Sequence, residues 1–361
     1  MFYDYTELTI AFFISLIASF LLTYLVKSLA LKIGAVDHPD HRKIHQEPVP
    51  RIGGLAIFFG AVLGVLYIQP AHDSLIPIAF GALVIIITGF LDDLYTIRPI
   101  IKLTGQLIAT SFLISSGLII DRLTLPIIGM VDLGFFSVMI TVLWVVGITN
   151  AINLIDGLDG LATGVSTIAL TTIFIMSLID TQVLVAYISI ALIGANLGFL
   201  YHNFYPAKLY MGDTGSNFLG YMIAVVSILG LFKEVAIFSF IIPVIILAVP
   251  ILDTALAIFR RAYRRENIMG ADNKHLHYEL LAGGYSHRKT VLIIYGFSAL
   301  FGLMAILLSN ASTATVLIVT FLVLSLLHIF AELAGVVLGG RRPIVNTLRK
   351  ILRKLERGRG K

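Results

Sequence analysis

Oxygen-bearing side chains stand at unusual places in this chain. Asp92 and Asp93 adjoin at the end of an apolar run, GFLDDLY, and Asn150, Asn153, Asp156 and Asp159 recur at every third residue of NAINLIDGLDG. Hard oxygens at that density suit Mg²⁺, with Mn²⁺ as the alternative, and Mg²⁺ takes one or two protein ligands together with substrate phosphates. A third segment, Tyr210-Met-Gly-Asp213-Thr-Gly-Ser216-Asn217, opens another apolar run. Backbone N–H groups at a helix start attract anions, whereas Asp213 repels a phosphate; a metal between the two reconciles them. The plainer alternative is that Ser216 or Asn217 serves only as an N-cap.

Two carboxylates at a helix C-terminus face the negative end of the macrodipole, so something positive is expected beside Asp92 and Asp93. Arg98 and Lys102 are the nearest basic residues along the chain. Further basic character lies in Arg260, Arg261, Arg264 and Arg265, followed by His275-Leu-His277-Tyr278 and Ser286-His287-Arg288-Lys289. The chain has no cysteine and no third ligand at zinc spacing, so these histidines suit holding phosphate oxygens or moving protons; the alternative is an ordinary basic loop. The first polar link contains Lys43 and His45 among prolines and ends in Arg51-Ile-Gly-Gly. Such a stiff basic loop either closes over an anionic ligand or anchors to lipid headgroups.

The elements that carry these residues are set by hydropathy. Of 361 residues, 58% are hydrophobic and 13% charged, and the mean hydropathy is +0.95, which excludes an ordinary soluble domain. Apolar blocks fall near 8–26, 53–69, 75–91, 103–120, 135–148, 161–179, 183–201, 217–232, 235–252, 291–308 and 314–338. They predict an all-α polytopic membrane protein of about eleven transmembrane helices. Alternating the links places 24 of the 26 Lys and Arg residues on one side and leaves Arg122 and Lys233 on the other. The positive-inside rule then puts the C-terminus in the cytoplasm and the N-terminus outside, with every candidate residue above at the cytoplasmic face. A single membrane domain over 1–340 is expected, followed by a basic amphipathic tail over 341–361 on the anionic inner leaflet. Alternating polarity from Leu123 suggests a small outward hairpin. Pro243 and Pro250 predict a kink or break in the ninth span. Trp144, His72 and His328 read as packing or interface residues, and Glu332 as snorkelling toward the surface.

Taken together, DHPDHRKIHQEPVPRIGG, GFLDDLY, NAINLIDGLDGLATG, YMGDTGSNFLG and NKHLHYELLAGGYSHRKTVLIIY resemble the polyprenyl-phosphate N-acetylhexosamine-1-phosphate transferase family, in the family's order and over nearly the whole chain. The first and last of these segments are similar to the branch using UDP-N-acetylglucosamine, such as the enzymes that initiate enterobacterial common antigen and teichoic acid. Tyr278 departs from that branch, which often has another His there. The resemblance implies transfer of a sugar 1-phosphate from a UDP-sugar to undecaprenyl phosphate in the cell membrane, with release of UMP. It implies Asp213 and Asn153 as ligands of Mg²⁺, and Asp92, with Asp93 beside it, as the group that deprotonates or orients the lipid phosphate. Lys102 would attract that phosphate; Asp156 and Asp159 would line the nucleotide side, with Asn150 in the same motif, and Tyr210 would stack on uracil. His275, His277 and Arg265 would hold the diphosphate, with Lys43 and His45 as further substrate contacts. A homodimer is compatible with this reading and nucleic acid has no place in it. The rivals are a phospho-MurNAc-pentapeptide transferase of the same fold and, from another class, a membrane transporter, which would put carboxylates at the midplane.

Overall fold

The computed structural model describes residues 4–37, 48–125, 129–230, 241–264, 275–309 and 313–333. Lys43, His45, Arg265 and the tail over 341–361 lie outside the described residues. The described chain is mostly helical. Its helices are α1 (Tyr5–Ile33), α2 (Gly54–Ile68), α3 (Leu75–Tyr95), α4 (Pro99–Ser115), α5 (Phe136–Ile155), α6 (Leu161–Ile179), α7 (Val183–Asn203) and α8 (Gly212–Gly230). They continue with α9 (Ile241–Ile246), α10 (Ala248–Arg264), α11 (Leu276–Ala282), α12 (His287–Ser309) and α13 (Thr313–Leu333).

Helix α1 shows what solvent this fold is built for. Asp4 caps it by accepting the N–H of Thr6 at 2.8 Å, and Gly34 closes it in the left-handed conformation. In between, Ala11, Ser15, Ser19 and Thr23 recur every fourth residue and are buried, while Phe13, Ile17, Leu21, Tyr24 and Leu25 are exposed. A soluble helix does the reverse. Small and hydroxyl-bearing residues inside and large apolar ones outside are what lipid favours, because close helix contact rather than apolar burial joins the helices. Among the described residues six helices are long and apolar enough to cross a bilayer: α1, α3, α5, α6, α7 and α12. Shorter apolar helices run over Gly54–Ile68, Pro99–Ser115 and Ile318–Phe330. The chain is a polytopic membrane protein.

Two small antiparallel pairs interrupt the all-helical expectation. β1 (Val36–Asp37) pairs with β2 (Val49–Pro50), closing the ends of the first link against each other. β3 (Arg122–Leu125) pairs with β4 (Gly129–Asp132), Arg122 opposite Asp132, which is the hairpin expected from alternation. The ninth apolar block breaks as its prolines require: α9 ends at Ile246 and α10 begins at Ala248. Pro250 has no N–H to offer the carbonyl of Ile246, so the helix is interrupted at Leu247, although Leu247 N–H still reaches Pro243 O and Ile251 N–H reaches Leu247 O. Trp144 is a packing residue that donates its indole N–H to Ser227 at 2.9 Å. Glu332 does not snorkel. It is fully buried, with His328 one turn earlier at 3.3 Å supplying the partner that an immersed carboxylate needs.

Candidate active site

The sequence-predicted residues converge because they sit at helix ends. Asp92 and Asp93 end α3, Asn150 and Asn153 end α5, Lys102 lies near the start of α4 and Asp213 near the start of α8. The C-termini of α3, α5 and α7 meet the N-termini of α2, α4, α6, α8 and α12 around one cavity. Between them lies a cavity of about 560 Å³, whose walls include Asp156, Asp159, Tyr210, Asp213, Tyr278 and His287.

Two motifs far apart in the chain build its floor. Gly53 N–H donates to Tyr210 O at 2.9 Å, Gly54 N–H to Met211 O at 2.9 Å, and Tyr210 N–H to Pro50 O at 2.8 Å. Gly54 lies against the backbone of Gly215, where a Cβ has no room. Gly212 begins α8 at φ +70, a left-handed conformation that costs glycine little. The cap of α8 then comes from another helix. Asp93 accepts Asp213 N–H at 2.9 Å, Thr214 N–H at 2.9 Å and the Thr214 hydroxyl at 2.6 Å. The anion expected at this helix start is therefore the protein's own carboxylate. Ser216 and Asn217, the N-cap candidates, instead sit one turn inside the helix and donate back to Gly212 O and Asp213 O.

The positive charge expected beside Asp92 is Lys102, whose ammonium lies 2.8 Å from Asp92 and 3.3 Å from Asp213. Asp92 also accepts the N–H of Ile97 at 2.8 Å, closing the turn between α3 and α4. Arg51, which sequence reasoning passed over, neutralises the C-terminus of α3: its guanidinium donates to Asp93 O at 2.6 and 2.9 Å. Its side chain also lies 3.9 Å from Asp37.

Asn153 donates to Asp213 and, at 2.8 Å, to the Ser216 hydroxyl. Asn150 points to a different partner, exchanging hydrogen bonds with Gln106, which also reaches Asn217 at 3.3 Å. Gln106 is buried in an apolar helix, the one signal by which the sequence could have marked it. Asp159 accepts Ala207 N–H at 2.9 Å and lies 4.0 Å from His287, whose ring stacks on Tyr205 at 4.3 Å. Asp156 faces the cavity. Burial, then the negative charges of Asp213, Asp93 and Asp159, push its carboxyl up to about 8. Burial and the charges of Asp159, Asp37 and Asp156 likewise raise the Tyr210 phenol, so it keeps its proton.

The histidine pair is not on the cavity surface. His275 and His277 are 5% and 1% exposed and lie behind the wall. The ring of His277 packs on Gly157 and, at 4.2 Å, on Tyr278, both of which line the cavity. Neither of its nitrogens has a hydrogen-bond partner, and burial holds its pKa down at about 4, so it is neutral at pH 7. His275 is held instead by Asp253 of α10, a second residue that sequence reasoning missed. A carboxylate directly after the ninth apolar block was the available signal.

Among the described residues no three His, Asp or Glu side chains enclose a metal by themselves. The donor set nevertheless suits Mg²⁺. Asp213 and Asn153 adjoin, and the carboxylates of Asp93, Asp156 and Asp159 face the same cavity. An ion that takes one or two protein oxygens and completes its shell from phosphates fits such a half-built site.

A membrane-embedded helical bundle with a carboxylate-rich, lysine-bridged cavity at one end of its helices is a class of protein suited to chemistry on a charged group at the bilayer surface. The chain belongs to glycosyl transferase family 4, whose model matches residues 75–231. It is 44% identical over 96% of its length, and 98% of the relative's, to the probable undecaprenyl-phosphate N-acetylglucosaminyl 1-phosphate transferase of Bacillus subtilis (strain 168). Identity to the decaprenyl-phosphate N-acetylglucosaminephosphotransferase of Mycolicibacterium smegmatis is 36%, covering 80% of this chain and 79% of that one. The undecaprenyl-phosphate alpha-N-acetylglucosaminyl 1-phosphate transferase of Escherichia coli (strain K12) is 28% identical over 96% of both chains.

Proposed function

We propose that the chain transfers N-acetylglucosamine 1-phosphate from UDP-N-acetylglucosamine to undecaprenyl phosphate and releases UMP. The observation that carries this reading is Lys102 bridging Asp92 and Asp213 at the edge of the polar cavity, in a chain so similar along its length to proteins named for this transfer. An oxygen of the lipid phosphate attacks the phosphorus that bears the sugar. The bond from that phosphorus to the bridging oxygen breaks, and UMP leaves with the electron pair. One pyrophosphate link replaces another, so catalysis calls for positioning and charge neutralisation rather than an external energy source.

Asp213 and Asn153 would hold Mg²⁺, which would supply neutralisation of the diphosphate charge. Lys102 draws in the lipid phosphate. Asp92 orients Lys102, and no general base is required, because a phosphate monoester with a second pKa of about 6 is mostly ionised at neutral pH. Asp93 sets the start of α8 and thereby the place of Asp213. Asp156, Asp159 and Tyr210 form the nucleotide side, with the protonated phenol ring offered to uracil.

The reading includes a topology: eleven crossings with α9 and α10 counted as one broken span, the N-terminus outside and the cavity on the cytoplasmic face. The placement of 24 of 26 basic residues supports it, as does the supply of a nucleotide sugar from the cytoplasm. The test is UMP release by purified protein with undecaprenyl phosphate and Mg²⁺, comparing UDP-N-acetylglucosamine with UDP-MurNAc-pentapeptide. Release with the simple sugar is expected; release with the pentapeptide donor alone would overturn the substrate, and silence with both would overturn the reaction.

A further inference from the structure

Asp253 is 4% exposed and lies on α10, six residues past Leu247. A carboxylate withdrawn from water needs strong donors, and both of its oxygens have one. Oδ2 lies 2.8 Å from His275 Nδ1, and Oδ1 accepts the N–H of Leu276 at 2.8 Å. The two donors belong to successive residues, so one carboxylate fixes both the ring of His275 and the point where α11 begins.

We propose that Asp253 is a positioning residue for the sugar-phosphate transfer, acting through His275 and the start of α11; this rests on the function proposed above. Facing a carboxylate that only accepts, Nδ1 of His275 carries the proton, and the ring, buried behind the cavity wall, is fixed in one tautomer. His277 follows two residues later with its ring 3° from parallel to that of His275 and 5.8 Å away. With neither nitrogen bonded, His277 is held by packing alone, between Gly157 and Tyr278. Asp253 thus ties the broken helix to the cavity wall, and a shift of α10 moves that wall.

The test combines a spectroscopic and a kinetic readout on the full chain in nanodiscs. In Asp253→Asn an amide offers one acceptor where the carboxylate offered two. Either Leu276 N–H loses its partner, or His275 Nδ1 faces an NH2 group and its proton moves to Nε2. With ¹⁵N-labelled histidine, the His275 signal, assigned by its loss in His275→Gln, is expected as the Nδ1–H form in the wild type and altered in Asp253→Asn. Turnover in Asp253→Asn is expected to fall roughly 10- to 100-fold, the scale of a lost orienting partner, with KM for the donor changed less than about 3-fold. The double variant should be no slower than His275→Gln alone, since the two residues act as a unit. Asp253→Glu, which keeps the carboxylate, should retain the Nδ1–H form and recover part of the rate, and it carries the test if Asp253→Asn does not fold. Wild-type turnover in Asp253→Asn, or independent losses that multiply in the double variant, would overturn the inference while the function stands. A wild type inert with UDP-N-acetylglucosamine would overturn the function, and the ¹⁵N comparison would still decide whether Asp253 sets the His275 proton.

Discussion

Thr214 gives both of its donors to one oxygen of Asp93, the N–H at 2.9 Å and the hydroxyl at 2.6 Å, across 121 residues of sequence. Helix α8 is therefore capped by the end of α3, and the cavity residue Asp213 is placed by a side chain from another helix. Replacing Asp93 with Ala removes the cap and leaves buried donors unmet. A stability loss on the order of 2 kcal/mol or more is expected, read as a lower unfolding temperature, with turnover lost as well. Thr214→Val, which removes only the hydroxyl, should cost about 1 kcal/mol. An unchanged melting curve for Asp93→Ala would refute the cap.

Lys102 pairs with two carboxylates, so Lys102→Met leaves Asp92 and Asp213 together without that cation. Turnover should fall at least about 100-fold, the cost of losing a preorganised charge at the reacting phosphate. Lys102→Arg should recover only part of it, because a planar fork does not replace a compact ammonium between two oxygens. Activity of Lys102→Met within a few-fold of wild type would exclude Lys102 from the reaction.

Removing divalent cation with EDTA should abolish UMP release, and added Mg²⁺ should restore it. Asp213→Asn should need much higher Mg²⁺ for the same rate, having exchanged a charged ligand for a neutral one. An Asp213→Asn enzyme with the wild-type Mg²⁺ dependence would remove Asp213 from the metal site.

Gly54→Ala drives a methyl group into the backbone of Gly215, where no side chain can swing aside. The hydrogen bonds from Gly53 and Gly54 to Tyr210 and Met211 would then stretch or break. Overpacking of this kind costs about 1–3 kcal/mol, and here it also displaces the floor of the cavity. The variant should lose both stability and turnover; a normal melting temperature with normal activity would contradict the close contact.

Acid should weaken the fold through His277. Its folded pKa of about 4 lies below the ordinary 6.5, so between those values the unfolded chain takes up a proton that the folded chain refuses. Stability is then full above pH 6.5 and falls as pH drops toward 4, by a total on the order of 3 kcal/mol. Melting curves from pH 7.5 to 5 should show a shallower decline for His277→Phe than for the wild type. Parallel declines would mean that His277 is not buried neutral.

The sequence by itself determined the kind of protein and most of the site's chemistry. Apolar blocks of membrane length, the two prolines of the ninth block and the clustering of carboxylates and carboxamides are properties of local composition, and lipid leaves few structures open to such a chain. The helix break at Leu247 and the hairpin from Arg122 were legible for the same reason. What only the tertiary structure decided is the division of labour among similar residues. Asp92 and Asp93 are neighbours of one type, yet one meets Lys102 and the other caps α8, because successive side chains on a helix point about 100° apart. Asn150 and Asn153 divide likewise, toward Gln106 and toward Asp213. Arg51 and Asp253 were missed because their roles lie wholly in contacts with distant segments. His277, whose position in a basic loop suggested a phosphate contact, is instead a neutral packed ring, since burial outweighs the chemistry that its residue type offers.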